Sequence, residues 1–232
     1  DVLCARDGLK LAELPAGATV GTGSPRRAAQ LRAARPDLDI RDIRGNVDTR
    51  LGRVPGLPGN SAGEVEEGKS GDLDAVVLAA AGLHRIGRLD AVSEYLETDV
   101  MLPAAGQGSL AIECRTSDAP RKAGSTEGSQ GVLAQALAAL DDPDTRLAVT
   151  AERALLARLE AGCAAPVGAY AYRKGSMLHL EAVVCAVDGT ATVRDKKATD
   201  GLTEVGATLL GIELAEALLA AGAADIADLA AS

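Results

Sequence analysis

The sequence has no tryptophan, no phenylalanine and only three tyrosines in 232 residues. Any core must therefore be filled by alanine, leucine and valine. Hydrophobic residues are still 47% of the chain, enough for sizeable cores, and the length is natural for two domains. Cysteine is scarce: Cys4, Cys114, Cys163 and Cys185 follow no zinc or CxxC spacing, and a reducing cytoplasm is the expected setting. The two histidines, His84 and His179, read as ordinary loop and strand residues, and no metal is expected. No apolar run approaches the roughly 18 residues of a membrane span. No basic start followed by an apolar stretch marks a signal peptide. The first residue is Asp1 and not methionine, so a preceding segment is expected. Neither a Walker loop nor GxGxxG occurs. The net charge of -9 argues against nucleic acid as the main partner, which needs a broad basic surface.

Against that acidic background one stretch is cationic. Between Val20 and Arg53 lie eight arginines (26, 27, 32, 35, 41, 44, 50 and 53), four aspartates and no lysine. Arginine alone, concentrated in an acidic chain, points to carboxylate or phosphate recognition, because the planar guanidinium grips a planar anion at two points. Arg32 and Arg35 read as a solvated helix face. Arg26, Arg27, Arg44 and Arg50 flank glycine turns and are the binding candidates.

The pattern around them is β-α-β-α. Thr19–Thr22 reads as a strand running into a glycine turn, with Ser24 as N-cap and Pro25 opening a helix to Arg35. Leu38–Ile43 alternates as a strand, and a helix follows from Val47 to Val54. Such a pattern implies a parallel sheet, whose ligands sit at the carboxyl ends of the strands, near helix N-termini. Residues 1–19 read as a short apolar start, a turn and a helical piece over Leu9–Leu14. Pro55–Gly71 reads as a loop and Asp74–Ala81 as a buried parallel strand, with a turn at Gly82 leading into a helix that carries Arg85. Tyr95–Leu102 is expected to be extended, and Leu102–Gly108 is a Pro/Gly hinge. Ser109–Cys114 reads as one more strand, without an obvious partner. A polar loop and a helix over Val132–Leu140 come next. A long helix within Asp141–Ala161, capped by Thr145 and stopped by Gly162, precedes an antiparallel meander over Val167–Tyr172, Met177–Val187 and Thr190–Lys196. Helices over Leu202–Ala221 and Ala224–Ala230 close a small α+β unit.

Cys163 is the one reactive-looking thiol, set between small residues in AGCAAP. A helix C-terminus before it disfavours a thiolate, so by residue chemistry alone it reads as incidental. Glu152 and Glu160 on the preceding helix read as solvated.

Five stretches taken together, GTGSPRRAAQL, IRGNVDTRL, DAVVLAAAGLHRIG, LPAAGQGSLAIEC and TAERALLARLEAGCAAPVGAYA, resemble the porphobilinogen deaminase (hydroxymethylbilane synthase) family in order and spacing. The resemblance implies a transferase of tetrapyrrole and heme biosynthesis that joins four porphobilinogen units into hydroxymethylbilane with release of ammonia. It implies a dipyrromethane cofactor held by a thioether to Cys163. Arg26, Arg27, Arg44, Arg50, Ser24 and Thr22 then fall on cofactor-binding positions, and Arg26, Arg50, Arg85 and Gln107 on substrate-binding ones. The family's Asp-Val-Pro motif has no counterpart here, so no catalytic residue is assigned; the N-terminal part of the family's first domain is expected to be missing. The implied fold is α/β, a periplasmic-binding-protein-like doubly wound domain over 1–102. A hinge and a return segment of the incomplete first domain over 103–140 follow, then a small α+β domain over 141–232. The partners implied are porphobilinogen and the growing polypyrrole, with no nucleic acid, no membrane and a monomer. The competing reading is a non-catalytic binding module for a small organic anion.

Overall fold

The computed structural model describes residues 1–57, 71–121, 126–162 and 164–230. Two sheets organise it. The first is mixed, with strand order β3-β2-β4-β1-β5. Its strands are β1 (Val2–Ala5), β2 (Thr19–Gly21), β3 (Asp39–Arg41), β4 (Ala75–Leu78) and β5 (Glu94–Tyr95). β3, β2 and β4 are mutually parallel, as the β-α-β-α pattern requires. β1 is antiparallel to both β4 and β5, with Val2 opposite Leu78 and Tyr95. The short apolar start is thus an interior strand. All four of its residues are buried, as are all four of β4. Strands buried on both faces carry no alternation, and four residues give too little pattern to be read.

The helices on this sheet are α1 (Pro25–Ala34), α2 (Val47–Leu51) and α3 (Ala80–Arg85). Ser24 caps α1, its Oγ accepting from the Arg27 N–H, with Pro25 at the first helical position. Asn46 caps α2 by accepting from the Thr49 N–H at 2.8 Å. α3 begins before Gly82, which lies inside the helix and is no turn. Leu11–Glu13 is a single 3-10 turn where a longer helical piece was expected.

The second sheet is an antiparallel meander of β6 (Val167–Lys174), β7 (Met177–Cys185) and β8 (Thr192–Thr199). Two helices pack on it, α5 (Pro143–Leu159) and α6 (Glu204–Ala220), and the short α7 (Ala223–Ile226) follows. Leu155, Leu178, Leu180, Leu214 and Leu218 make the centre of that core. Asp142, not Thr145, caps α5: its carboxylate accepts from the Thr145 N–H at 2.7 Å. The helix ends at Glu160, whose φ of 55° places it in the left-handed region, two residues before the expected stop at Gly162.

Between the two units Ser109–Cys114 forms no strand. Leu110 and Ile112 are 96% and 60% exposed, whereas Val76 and Val77 are fully buried. The alternation is there, but no neighbouring strand satisfies its backbone, so no ladder forms. α4 (Val132–Leu140) follows, with Val132, Leu133 and Leu140 exposed and only Ala134 buried.

The units meet around Leu102. Ala29 of α1, Leu102, Val183 and Cys185 form a small shared core. A Cβ on Gly168 would stand 2.8 Å from the Leu102 side chain, and one on Gly189 2.4 Å from Arg32 in α1. Only glycine lets β6 and the β7–β8 turn approach this closely.

Candidate functional site

α1 starts where β2 ends, and its first turn carries Arg26 and Arg27 inward. Both are buried, at 5% and 9% exposure, which is unusual for guanidinium groups. Asp1, delivered by β1 to the same edge of the sheet and with its side chain fully buried, is their counter-ion. Arg27 donates to Asp1 Oδ1 from Nε at 3.0 Å and from NH2 at 2.7 Å, and Arg26 NH1 lies 2.8 Å from Asp1 Oδ2. Arg27 also donates to the Val77 carbonyl, and Arg26 to the carbonyl of Leu102. Burial, reinforced for Arg26 by the neighbouring charge of Arg27, pulls their pKa values down to about 9 and about 10, so both stay cationic at neutral pH. Two buried cations thus face one buried anion, and Arg26 Nε finds no acceptor among the described residues.

Gln107 closes the cluster. Its Nε2 donates to Asp1 at 2.8 Å, and its Oε1 accepts from Arg26 at 3.0 Å and from the Ala104 N–H at 3.3 Å. Thr22 is buried, and its hydroxyl accepts from the Ser24 N–H. The Thr22 and Ser24 hydroxyls therefore use lone pairs within the turn and keep their protons to donate.

The remaining predicted arginines stand differently. Arg44 is 82% exposed beyond the end of β3, 3.2 Å from Asp42. Arg50 is half-buried in α2 and reaches back to donate to the Gly45 carbonyl at 2.9 Å. Arg85 is exposed at the far end of α3, one helix beyond the strand edge, and its side chain bonds to nothing among the described residues. Arg32 and Arg35, expected to be solvated, instead hold carbonyls: Arg32 that of Val187, and Arg35 those of Leu11 and Leu14.

A cleft of about 440 Å³ opens beside the cluster, between the carboxyl edge of the first sheet and the second unit. Asp1, Ala79–Ala81, Gln107, Ser109, Thr145, Val149, Glu152 and Tyr170 line it. A larger groove of about 720 Å³ lies elsewhere, with Arg32 among Asp188, Asp225 and Asp228, and holds none of the candidate residues. Its acidic wall suits an anion poorly.

Glu152 corrects the expectation of a solvated face. It is 5% exposed and joins the two units, accepting from the Gly106 N–H at 2.6 Å and the Ala171 N–H at 2.7 Å. Burial raises its pKa, against the opposing effect of those two bonds. Gln30 is a second missed residue: its side-chain amide accepts the Leu102 N–H at 2.8 Å and donates to the Leu102 carbonyl at 3.0 Å. A signal for Glu152 was present, since it shares a helical stripe with Ala148, Leu155 and Leu159. Asp1 and Gln30 carried none.

Cys163 lies outside the described residues. Gly162 donates to the Leu229 carbonyl at 2.8 Å. Cys4 and Cys185 are buried, and burial pushes their thiols up to about 12 and about 11, so neither is a nucleophile. Cys114 is exposed.

No described helix is long and apolar enough to cross a membrane. The family model described as "Porphobilinogen deaminase, dipyromethane cofactor binding domain" matches residues 1–123, and "Porphobilinogen deaminase, C-terminal domain" matches residues 146–220. The porphobilinogen deaminase of Cutibacterium acnes is 56% identical over all of this chain and 69% of its own length. Those of Thermobifida fusca and Leifsonia xyli are 53% and 52% identical, over 97% and 99% of this chain and 64% and 65% of theirs. The chain spans about two thirds of the length of these relatives. None of these matches supports the reading as a non-catalytic anion-binding module. The two family models and these identities place the chain in the porphobilinogen deaminase family.

Proposed function

We propose that the chain binds the dipyrromethane group and the carboxylates of porphobilinogen units for assembly of four such units into hydroxymethylbilane with release of ammonia. The observation that carries this is the charge imbalance beside the cleft: two buried guanidiniums, one buried carboxylate and an Arg26 Nε–H without an acceptor. A carboxylate-bearing pyrrole supplies the missing anion, and the residues present fit the group in that respect. Arg26, Arg27, Thr22 and Ser24 would orient it, and Cys163 would hold it through a thioether. When bound, it supplies the end to which new units are added. Arg44 and Arg85, exposed beyond β3 and at the end of α3, and the half-buried Arg50 of α2 would take the acetate and propionate groups of incoming rings. Gln107 would hold Arg26 in place, since its amide is already committed. Glu152 fixes Gly106, next to Gln107, and so ties the second unit to the arginine pair.

The test is mass spectrometry of the full chain after incubation with porphobilinogen. The expected result is a covalent adduct of two pyrrole units on Cys163, absent from Cys163→Ser. An unmodified Cys163, together with no porphobilinogen binding by calorimetry, would overturn the reading.

A further inference from the structure

Aromatic side chains are nearly absent from this chain, yet two of its three tyrosines stand together. Tyr170 and Tyr172, two apart on β6, point to the same outer face of the second sheet, and each is 38% exposed. Their ring centroids are 5.5 Å apart. Tyr172 stacks in turn on His179, its cross-strand partner on β7, at 5.1 Å with planes 10° apart. Cross-strand stacking by itself stabilises a sheet by a modest amount. Two further facts require more than that. Tyr170 also lines the cleft, so the ladder begins at the site and leads out of it. The face it crosses is cationic in an acidic protein. By strand register Lys174, Glu181 and Lys196 share it with the ladder, and the Glu181 carboxylate is taken by Arg194 at 2.7 Å. Lys174 and Lys196 are exposed and pair with no acid among the described residues.

We propose that this face is a stacking platform for flat, carboxylate-bearing pyrrole rings that the cleft cannot hold. This rests on the reading of the cleft given above. A cleft of about 440 Å³ is at the small end for one drug-sized ligand, so a chain of several rings must extend beyond it. Aromatic faces at half exposure offer the π-surface, and the two lysines offer countercharge for the carboxylates, without the fixed geometry that arginine would impose. Loose, sequential contact suits a product that has to leave.

The absence of tryptophan makes tyrosine emission a direct probe. The full chain is titrated with biliverdin, a linear tetrapyrrole bearing carboxylates, and separately with porphobilinogen, a single ring. Quenching by biliverdin is expected, weakened about two- to tenfold by Tyr172→Ala. Lys174→Ala combined with Lys196→Ala should weaken it by a similar factor and flatten its salt dependence. Porphobilinogen affinity should stay unchanged in these variants and fall in Arg44→Ala combined with Arg50→Ala. Unchanged biliverdin affinity in both platform variants would overturn the proposal, even if Tyr172→Ala lowers the melting temperature, because the ladder would then serve only the sheet. The lysine variant touches no core and keeps the test decisive if Tyr172→Ala folds poorly. Biliverdin binding that needs the platform, without any porphobilinogen binding, would uphold the platform and sink the reading of the cleft.

Discussion

Arg26 and Arg27 differ from Arg44, Arg50 and Arg85 in everything but residue type. The first two are buried, tied to Asp1, and held by the carbonyls of Val77 and Leu102. The other three are solvated or half-solvated at helix and loop ends. Desolvating a cation is costly, so the buried pair holds its geometry before any ligand arrives, and folding bears that cost. In the function proposed above, the exposed three would keep their hydration until a carboxylate displaces it. One family of side chains would then serve both as a rigid seat and as an adaptable rim.

The sharpest way to break the comparison is Asp1→Asn. It leaves two guanidiniums buried with no anion, and a loss of about 3–5 kcal/mol in urea denaturation is expected. A loss under about 1 kcal/mol would mean that the pair is solvated in solution. Next in size is Glu152→Ala, which strips acceptors from the Gly106 and Ala171 N–H groups and should cost about 2–4 kcal/mol. Its pH signature has a definite sign. Burial raises the carboxyl above its ordinary value, so between the unfolded and folded values the native chain binds more protons, and stability falls as pH rises through that window. Glu152→Gln should remove that part of the slope. The smallest effect on folding comes from Arg44→Ala, Arg50→Ala and Arg85→Ala, each within about 0.5 kcal/mol of the unmodified chain. Their effect should show instead in porphobilinogen affinity, measured by calorimetry, and a large loss of stability from any of them would erase the distinction between seat and rim.

Much of this was legible where chemistry is local. Ser24-Pro25 announces α1, because a cap is settled within a few residues. What failed to show was whatever depends on distant partners. β1 is a strand only because β4 and β5, distant in the chain, flank it. Ser109–Cys114 has the right alternation and is no strand for want of a neighbour. Charge density and the glycine turns beside them singled out the arginine candidates, but which of them are buried was not legible, since that depends on Asp1. The stripe Glu152 shares with Ala148, Leu155 and Leu159 pointed inward, but a carboxylate there looked solvated because the N–H groups it accepts from, on Gly106 and Ala171, lie on other segments of the chain.

Leu102 gives this arrangement its mechanics. Its carbonyl takes donors from Arg26 and Gln30, its N–H goes to Gln30, and its side chain meets Gly168. A residue clamped on every side is a fixed point shared by both units. A disturbance of its backbone would be felt at once by the arginine pair, through Arg26, and by β6, through Gly168.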